Sequence, residues 1–200
     1  MDDYWDAHYR NGGASGAVED YRRTAERKRA IIQRYITLGK DSVLDLGCGD
    51  LRFWDNIPLD DWYLGVDISQ TVIERNREKY PDARFDTRPI ADNRWRADAV
   101  VCFDVLYHIM DDDEYQRTIN NITESAKRYA FVGTWVFNPL NGILPRLMRL
   151  KATGHLEQGV NTTDGYHQTY RRFEDSIPTV FKDFELVCCE YGVYVLRRIQ

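Results

Sequence analysis

Nine residues constrain this chain more than any others: Ser42-Val43-Leu44-Asp45-Leu46-Gly47-Cys48-Gly49-Asp50. Val43, Leu44 and Leu46 make a short apolar run of the kind that lies buried in a parallel sheet. Two glycines, one residue apart, follow it. Gly47 lets the backbone turn sharply out of the strand, and Gly49 lets a ligand approach the main chain closely. Beyond Asp50 the sequence reads as the start of a short helix, whose free amides would point at whatever sits above the strand. Strand, glycine turn and helix are half of a βαβ nucleotide site. Alone the pattern is weak, because so short a glycine spacing often arises by chance and an ordinary buried turn would carry it too.

A second segment sharpens it. Tyr63-Leu64-Gly65-Val66-Asp67-Ile68-Ser69 is an apolar run ending in a carboxylate, and Asp67 lies 18 residues beyond Gly49. In βαβ nucleotide sites an acidic residue at about that distance ends the second strand and accepts from both ribose hydroxyls. The pair Leu44-Asp45-Leu46-Gly47-Cys48-Gly49 and Gly65-Val66-Asp67-Ile68-Ser69 resembles the first two motifs of class I S-adenosylmethionine (SAM) methyltransferases. Dinucleotide folds usually carry a third glycine where this chain has Arg52.

The rest of the chain fits one α/β domain over 1–200, long enough for a full core. Hydrophobic content of 43%, charged content of 30% and a net charge of −5 are those of a globular protein without the basic footprint of a binder of long nucleic acid. The amino terminus is acidic and aromatic, unlike a signal peptide, and no stretch is apolar enough to span a bilayer. Four cysteines, none in a Cys-x-x-Cys pair, read as reduced residues of a cytoplasmic protein.

Residues 1–38 read as an N-terminal lid and a helix. The lid has Tyr4, Trp5 and Tyr9 to bury, and three glycines between Asn11 and Gly16 to give it mobility; a disordered arm is the alternative. Over 18–38, Tyr21, Ala25, Ile31, Ile32, Tyr35 and Ile36 recur at helical spacing. Arg22, Arg23, Arg27, Lys28, Arg29 and Arg34 would form its solvated basic face, or attract a phosphate-bearing substrate. Gln70 to Lys79 reads as a helix capped by Ser69, 83–86 as an edge-side strand, and Ala97 to Phe103 as the central strand. The acidic run 111–114 would open a helix reaching about Lys127, with capping and dipole pairing as its role. A strand over 129–136, an insertion over 138–170, a helix over 173–181 and a hairpin pivoting near Gly192 complete the order.

That order resembles the class I methyltransferase fold over nearly the whole chain. The resemblance implies a Rossmann-like, doubly wound, seven-stranded, mostly parallel sheet with a C-terminal antiparallel hairpin. It implies SAM as cofactor and S-adenosylhomocysteine (SAH) as product. Tyr9, Arg10, Gly16, Asp45, Gly47, Gly49, Asp67, Ile68, Asp86 and Asp104 are then the cofactor-binding candidates. A narrower group, small methyltransferases that accompany glycan-building enzymes, is similar at 9–16, at Asp104-Val105-Leu106-Tyr107-His108 and at 167–173. The chain departs from it at Leu51, where glycine is usual and where the larger residue should narrow the turn, and at Tyr170, where histidine is common.

Methyl transfer to a hydroxyl usually needs a general base, and histidine suits neutral pH. His108 follows the central strand, where ligands bind in open α/β sheets, which makes it the first catalytic candidate; a lone histidine is also often structural. His167 and Tyr107 are further catalytic candidates, and Tyr170 and Arg171 candidate acceptor ligands. The Asn/Asp-Pro-Pro-Tyr/Phe signature of amino-nitrogen methylation is missing after the central strand, where Asp104-Val105-Leu106-Tyr107 stands. The expected acceptor is a sugar, glycan or other small polar molecule. RNA or protein methylation and a non-catalytic SAM-binding module are the alternatives. No metal cluster is evident, and a divalent ion stays open.

Overall fold

The computed structural model describes residues 2–15, 21–134 and 171–199, together with the backbone of three two-residue strands between the last two ranges. The chain begins with helix α1 (Asp2–Arg10) and helix α2 (Tyr21–Ile32). Strands β1 (Val43–Leu46), β2 (Tyr63–Asp67), β3 (Arg84–Thr87), β4 (Ala97–Phe103) and β5 (Ala126–Gly133) follow, with helix α3 (Gln70–Lys79) after β2 and α4 (Asp112–Ser125) after β4. The short strands β6 (Leu156–Glu157), β7 (Val160–Asn161) and β8 (Gln168–Thr169) pair antiparallel in a small second sheet. Helix α5 (Ile177–Val180) leads to β9 (Phe184–Glu190) and β10 (Val193–Arg198).

The main sheet has seven strands in the order β3-β2-β1-β4-β5-β10-β9. The first five are parallel, and β10 runs antiparallel to both β5 and β9. The sheet and its closing hairpin are those expected from the sequence, and β4 stands at the centre. Every residue of β1 and β2 is buried, as continuous apolar runs in a two-faced parallel sheet require. Val43 and Tyr63 pack with α2 and α3 residues such as Ile32 and Ile73 on one face. Leu44, Leu46 and Val66 pack with α4 residues Ile119 and Ile122 and with Phe173 and Phe181 on the other.

Local signals account for most boundaries. Ser69 caps α3, accepting from the Val72 amide at 3.3 Å, and Asp111 caps α4, accepting from the Glu114 amide at 2.7 Å. The β9–β10 turn is Tyr191-Gly192, with φ of 51° and 77°, the paired positive values of a type I′ turn. Pro178 sits in the first turn of α5, where its missing N–H leaves no bond unmade. No helix among the described residues is long and apolar enough to cross a membrane.

Four expectations are corrected. The segment after Asp50 is a 3-10 turn over Arg52–Trp54 rather than a helix: Leu51 takes a left-handed conformation (φ 62°), and the turn buries Phe53 and Trp54. It is too short to offer a fan of free amides. The side chain of Leu51 is wholly buried in the core. The helix expected over 18–38 ends at Ile32 and continues as turns, bringing Ile36 into the core; residues 16–20 lie outside the described residues. Strand β5 starts at Ala126, directly at the carboxyl end of α4. The last helix is split into a 3-10 turn over Phe173–Ser176 and α5.

Candidate active site

The order of the sheet reverses between β1 and β4, and in open α/β sheets ligands bind beyond the carboxyl ends of the strands at that point. The glycine turn lies there. Gly47 has φ 79° and Gly49 φ 53°, both left-handed. A β-carbon on Gly47 would strike the Val105 methyl, and one on Gly49 would meet Ser15 Oγ and the Tyr9 hydroxyl. Both positions therefore demand glycine for conformation and for space.

Asp67, at the end of β2, accepts from the Gly49 amide at 2.9 Å and from the Ser69 amide at 3.0 Å. Burial raises its carboxyl above the usual range, against these bonds. Ile68 beside it is half-buried. Thr87 pairs with Asp67 across the sheet, and its buried Oγ1 has no hydrogen-bond partner among the described residues. Asp86 accepts from Trp95 Nε1 and pairs with Arg88, each at 2.6 Å. Asp45 lies apart from these in the core, where it accepts from Trp54 Nε1 and the Tyr63 hydroxyl, each at 2.7 Å. Burial pushes its carboxyl up to about 6.

Asp104, the residue after β4, has φ 60°, an uncommon conformation for a non-glycine residue and one often found at functional sites. Its amide donates to Gly133 O at 2.8 Å, and its carboxylate pairs with Lys28 at 2.6 Å. Lys28 is thus a buried group of the site rather than part of a solvated basic face. Two neighbours also turn inward or across: Arg29 donates to Phe53 O, and Arg34 pairs with Glu190 at 2.9 Å.

His108 closes a 3-10 turn over Leu106–His108 and is 7% exposed. Its ring meets Trp5 edge to face, centroids 4.9 Å apart, and lies 4.6 Å from the half-buried Tyr107 ring. Trp5 in turn packs against Tyr4 and His8. Arg171 donates to Ile109 O at 2.6 Å, to Met110 O at 2.9 Å and to Asp112. It fastens the loop after His108 rather than offering its guanidinium to an acceptor. His167, Tyr170 and Gly16 lie outside the described residues.

Helix α1 is docked over this end of the sheet. Asp6 accepts from the Thr71 amide at 2.8 Å and from Ser69 Oγ at 2.9 Å, and the bonds from Thr71, first of all, hold its carboxyl down to about 2. Arg75 donates to Tyr9 O at 2.8 Å. The buried Tyr9 shares a 2.9 Å hydrogen bond with Ser15. Ser15 and Asp50 bond reciprocally, each amide to the other's side chain, at 3.0 and 3.1 Å. Arg10 is exposed and pairs with Asp6. Among the described residues no His, Cys, Asp and Glu side chains group as a metal site would require.

Residues 44–131 match the family described as a methyltransferase domain. The whole chain superimposes on magnesium protoporphyrin IX methyltransferase of Synechocystis PCC 6803, a structure with bound SAH, with a TM-score of 0.71 and 18% identity over 99% of this chain and 97% of that one. The chain has the fold of the class I methyltransferases. The chain is also similar to the sugar N-methyltransferase KedS8 of Streptoalloteichus sp ATCC 53650 (TM-score 0.65, 17% identity, covering 98% and 93% of the two chains). A third neighbour is the 1,6-didemethyltoxoflavin-N1-methyltransferase of Burkholderia thailandensis (TM-score 0.65, 14% identity, covering 100% and 87%). Identities this low establish a shared fold. A sequence comparison with curated proteins gives no match.

From sequence, Lys28 falls in the basic face of its helix, and Ser15 and Thr87 carry no role. Lys28 had a signal: with Ala25 and Ile32 it lies at i, i+3 and i+7, on the apolar stripe of α2. Ser15 and Thr87 had none, because each matters through a partner distant in sequence.

Proposed function

We propose that this protein is a methyltransferase that takes SAM as methyl donor and methylates a hydroxyl of a small polar acceptor, a sugar or glycan, with His108 as general base. The observation that carries the reading is the convergence of Gly47, Gly49, Asp67 and His108 on the carboxyl end of the sheet at its switch point. The residues suit such a cofactor. The glycine turn puts left-handed Gly47 and Gly49 at the mouth of the sheet, where Val105, Ser15 and Tyr9 pack too closely to admit a β-carbon. The buried Thr87 hydroxyl, without a partner among the described residues, stands beside Asp67 where a ribose or adenine would supply one.

The cofactor supplies an electrophilic methyl group on a sulfonium, and the protein supplies orientation and a place for the acceptor's proton. In this reading Gly47 and Gly49 admit the methionine part close to the main chain, Asp67 accepts from the ribose, Ile68 and Asp86 flank the adenine, and Tyr9 closes the site from α1. His108 takes the hydroxyl proton as oxygen attacks, and Tyr107 donates to the acceptor or packs on it. The rings of Trp5 and Tyr107 around His108 suit the flat apolar face of a sugar. His167, outside the described residues, stays a second catalytic candidate by sequence. A cytoplasmic location goes with this reading.

The preference for oxygen rests on His108 and on the missing signature of amino-nitrogen methylation, since two of the neighbours above are named N-methyltransferases. RNA or protein methylation drew on the basic helix, and the inward commitment of Lys28 and Arg29 weakens it. The test is a methyl-transfer screen with labelled SAM over sugars, oligonucleotides and peptides. Label on a sugar hydroxyl supports the reading, label on RNA or protein replaces it, and binding of SAM without transfer to any class points to a non-catalytic module.

A further inference from the structure

We infer that the acceptor is anionic, a sugar bearing a phosphoryl group, and that Arg27 and Tyr191 receive that group at the rim of the site. The inference rests on the reading of a small hydroxyl acceptor and adds its charge. One observation is strain without compensation. Tyr191 takes φ 51° in the β9–β10 turn, a conformation disfavoured for a bulky side chain and one often kept for function. Asparagine or glycine would make this turn at lower cost. Leu51, also left-handed, is wholly buried, whereas Tyr191 is 62% exposed, so no burial offsets its strain.

The second observation is the cation seated on that ring. The guanidinium of Arg27 lies 5.2 Å from the centre of the Tyr191 ring. Arg27 is exposed and makes no ion pair or hydrogen bond among the described residues. Its N–H donors are therefore unused, and a guanidinium offers them in the fork that phosphoryl oxygens fit. With Lys28 and Arg29 turned inward, α2 still points Arg22, Arg23 and Arg27 outward against the single carboxylate of Glu26. In a chain of net charge −5, such a local excess of positive charge draws an anion to this rim.

Position ties the pair to the acceptor side. The Thr134 amide donates to Gly192 O at 3.1 Å, and Gly133 O accepts from the Asp104 amide at 2.8 Å. The Tyr191-Gly192 turn thus stands at the carboxyl end of β5, beside the end of β4 that leads to His108. Two strand spacings, about 10 Å, separate the turn from the end of β4. A hydroxyl at His108 and a phosphoryl group reached by the Arg27 side chain are then two ends of one small molecule.

Label transfer from SAM over a panel of hexoses and the matching hexose phosphates tests this. Calorimetry of the SAH-loaded protein with inorganic pyrophosphate adds a measurement that needs no turnover. Wild type should bind pyrophosphate, and Arg27→Gln should bind it about ten- to a hundredfold more weakly, as for loss of a charged hydrogen bond, with SAH affinity unchanged. Hexose phosphates should be methylated at a KM about tenfold or more below that of the free sugars. Arg27→Gln should erase that preference through KM and keep kcat. Tyr191→Asn should weaken pyrophosphate binding without lowering the melting temperature, a combination that a merely structural tyrosine would not give. Equal methylation of free and phosphorylated sugars, wild type that does not bind pyrophosphate, or binding that Arg27→Gln leaves unchanged overturns the inference and leaves the hydroxyl reading standing. Label on RNA or protein, or on no class at all, overturns that reading and this inference with it.

Discussion

Asp67 Oδ2 accepts the amide of Gly49 at 2.9 Å, and so the end of β2 is bonded to the glycine turn that follows β1. One carboxylate therefore shapes the turn and faces the place assigned to the ribose. Asp67→Ala removes an acceptor from two buried amides, those of Gly49 and Ser69. The variant should lose about 1–3 kcal/mol of stability by denaturant titration, and SAM should bind it about ten- to a hundredfold more weakly. Unchanged affinity in the folded variant would remove Asp67 from the cofactor site.

The N-terminal arm is held by the Ser15–Asp50 clasp and the Tyr9–Ser15 bond. Ser15→Ala deletes two of these contacts, at about 0.5–1.5 kcal/mol each. Trypsin should then cut after the exposed Arg10 about five- to 150-fold faster through local opening, and SAH should slow the cut in wild type. Equal rates with and without SAH would mean that the arm does not respond to the cofactor.

Asp45 gives a pH signature. Its carboxyl is raised from 3.8 to about 6 by burial, so the folded state binds this proton more tightly than the unfolded chain. Its contribution to stability is full below about pH 4 and is lost as pH rises to about 6. Asn can still accept from Trp54 and Tyr63 but does not titrate. The stability of wild type relative to Asp45→Asn should therefore fall by about 3 kcal/mol between about pH 4 and pH 6, then level off. Parallel stability curves for the two proteins would refute this.

Leu51 sets strain against burial. Its left-handed backbone, φ 62°, costs on the order of 1 kcal/mol that glycine would relieve. Its side chain is fully buried, and truncating a buried leucine costs about 2–5 kcal/mol. Burial wins on these magnitudes, so Leu51→Gly should destabilise the protein by about 1–4 kcal/mol. A gain in melting temperature would reverse the order of the two effects.

The sheet was legible because β1, β2 and β4 are continuous apolar runs that only a doubly buried strand needs, and because Ser69, Asp111 and Gly192 mark their caps and turn locally. The site was legible only in part. Gly47, Gly49 and Asp67 announce themselves by spacing. The Lys28–Asp104 pair joins residues far apart in the chain, and among several basic residues of one helix only the apolar stripe marks Lys28. Asp45 and Asp67 look alike in sequence. Trp54 and Tyr63 hold Asp45 in the core, while backbone amides hold Asp67 at the mouth, and those partners come from the fold.

The central claim is that His108 takes a proton from the acceptor during methyl transfer. It is tested most directly by the pH dependence of single-turnover transfer from labelled SAM, in wild type and in His108→Ala. The wild-type rate should rise with pH to a plateau, because only the neutral ring accepts a proton. His108→Ala should bind SAH as wild type does, turn over about a hundredfold or more slower, and lose that rise. A His108→Ala protein with wild-type turnover and an unchanged pH profile would contradict the account.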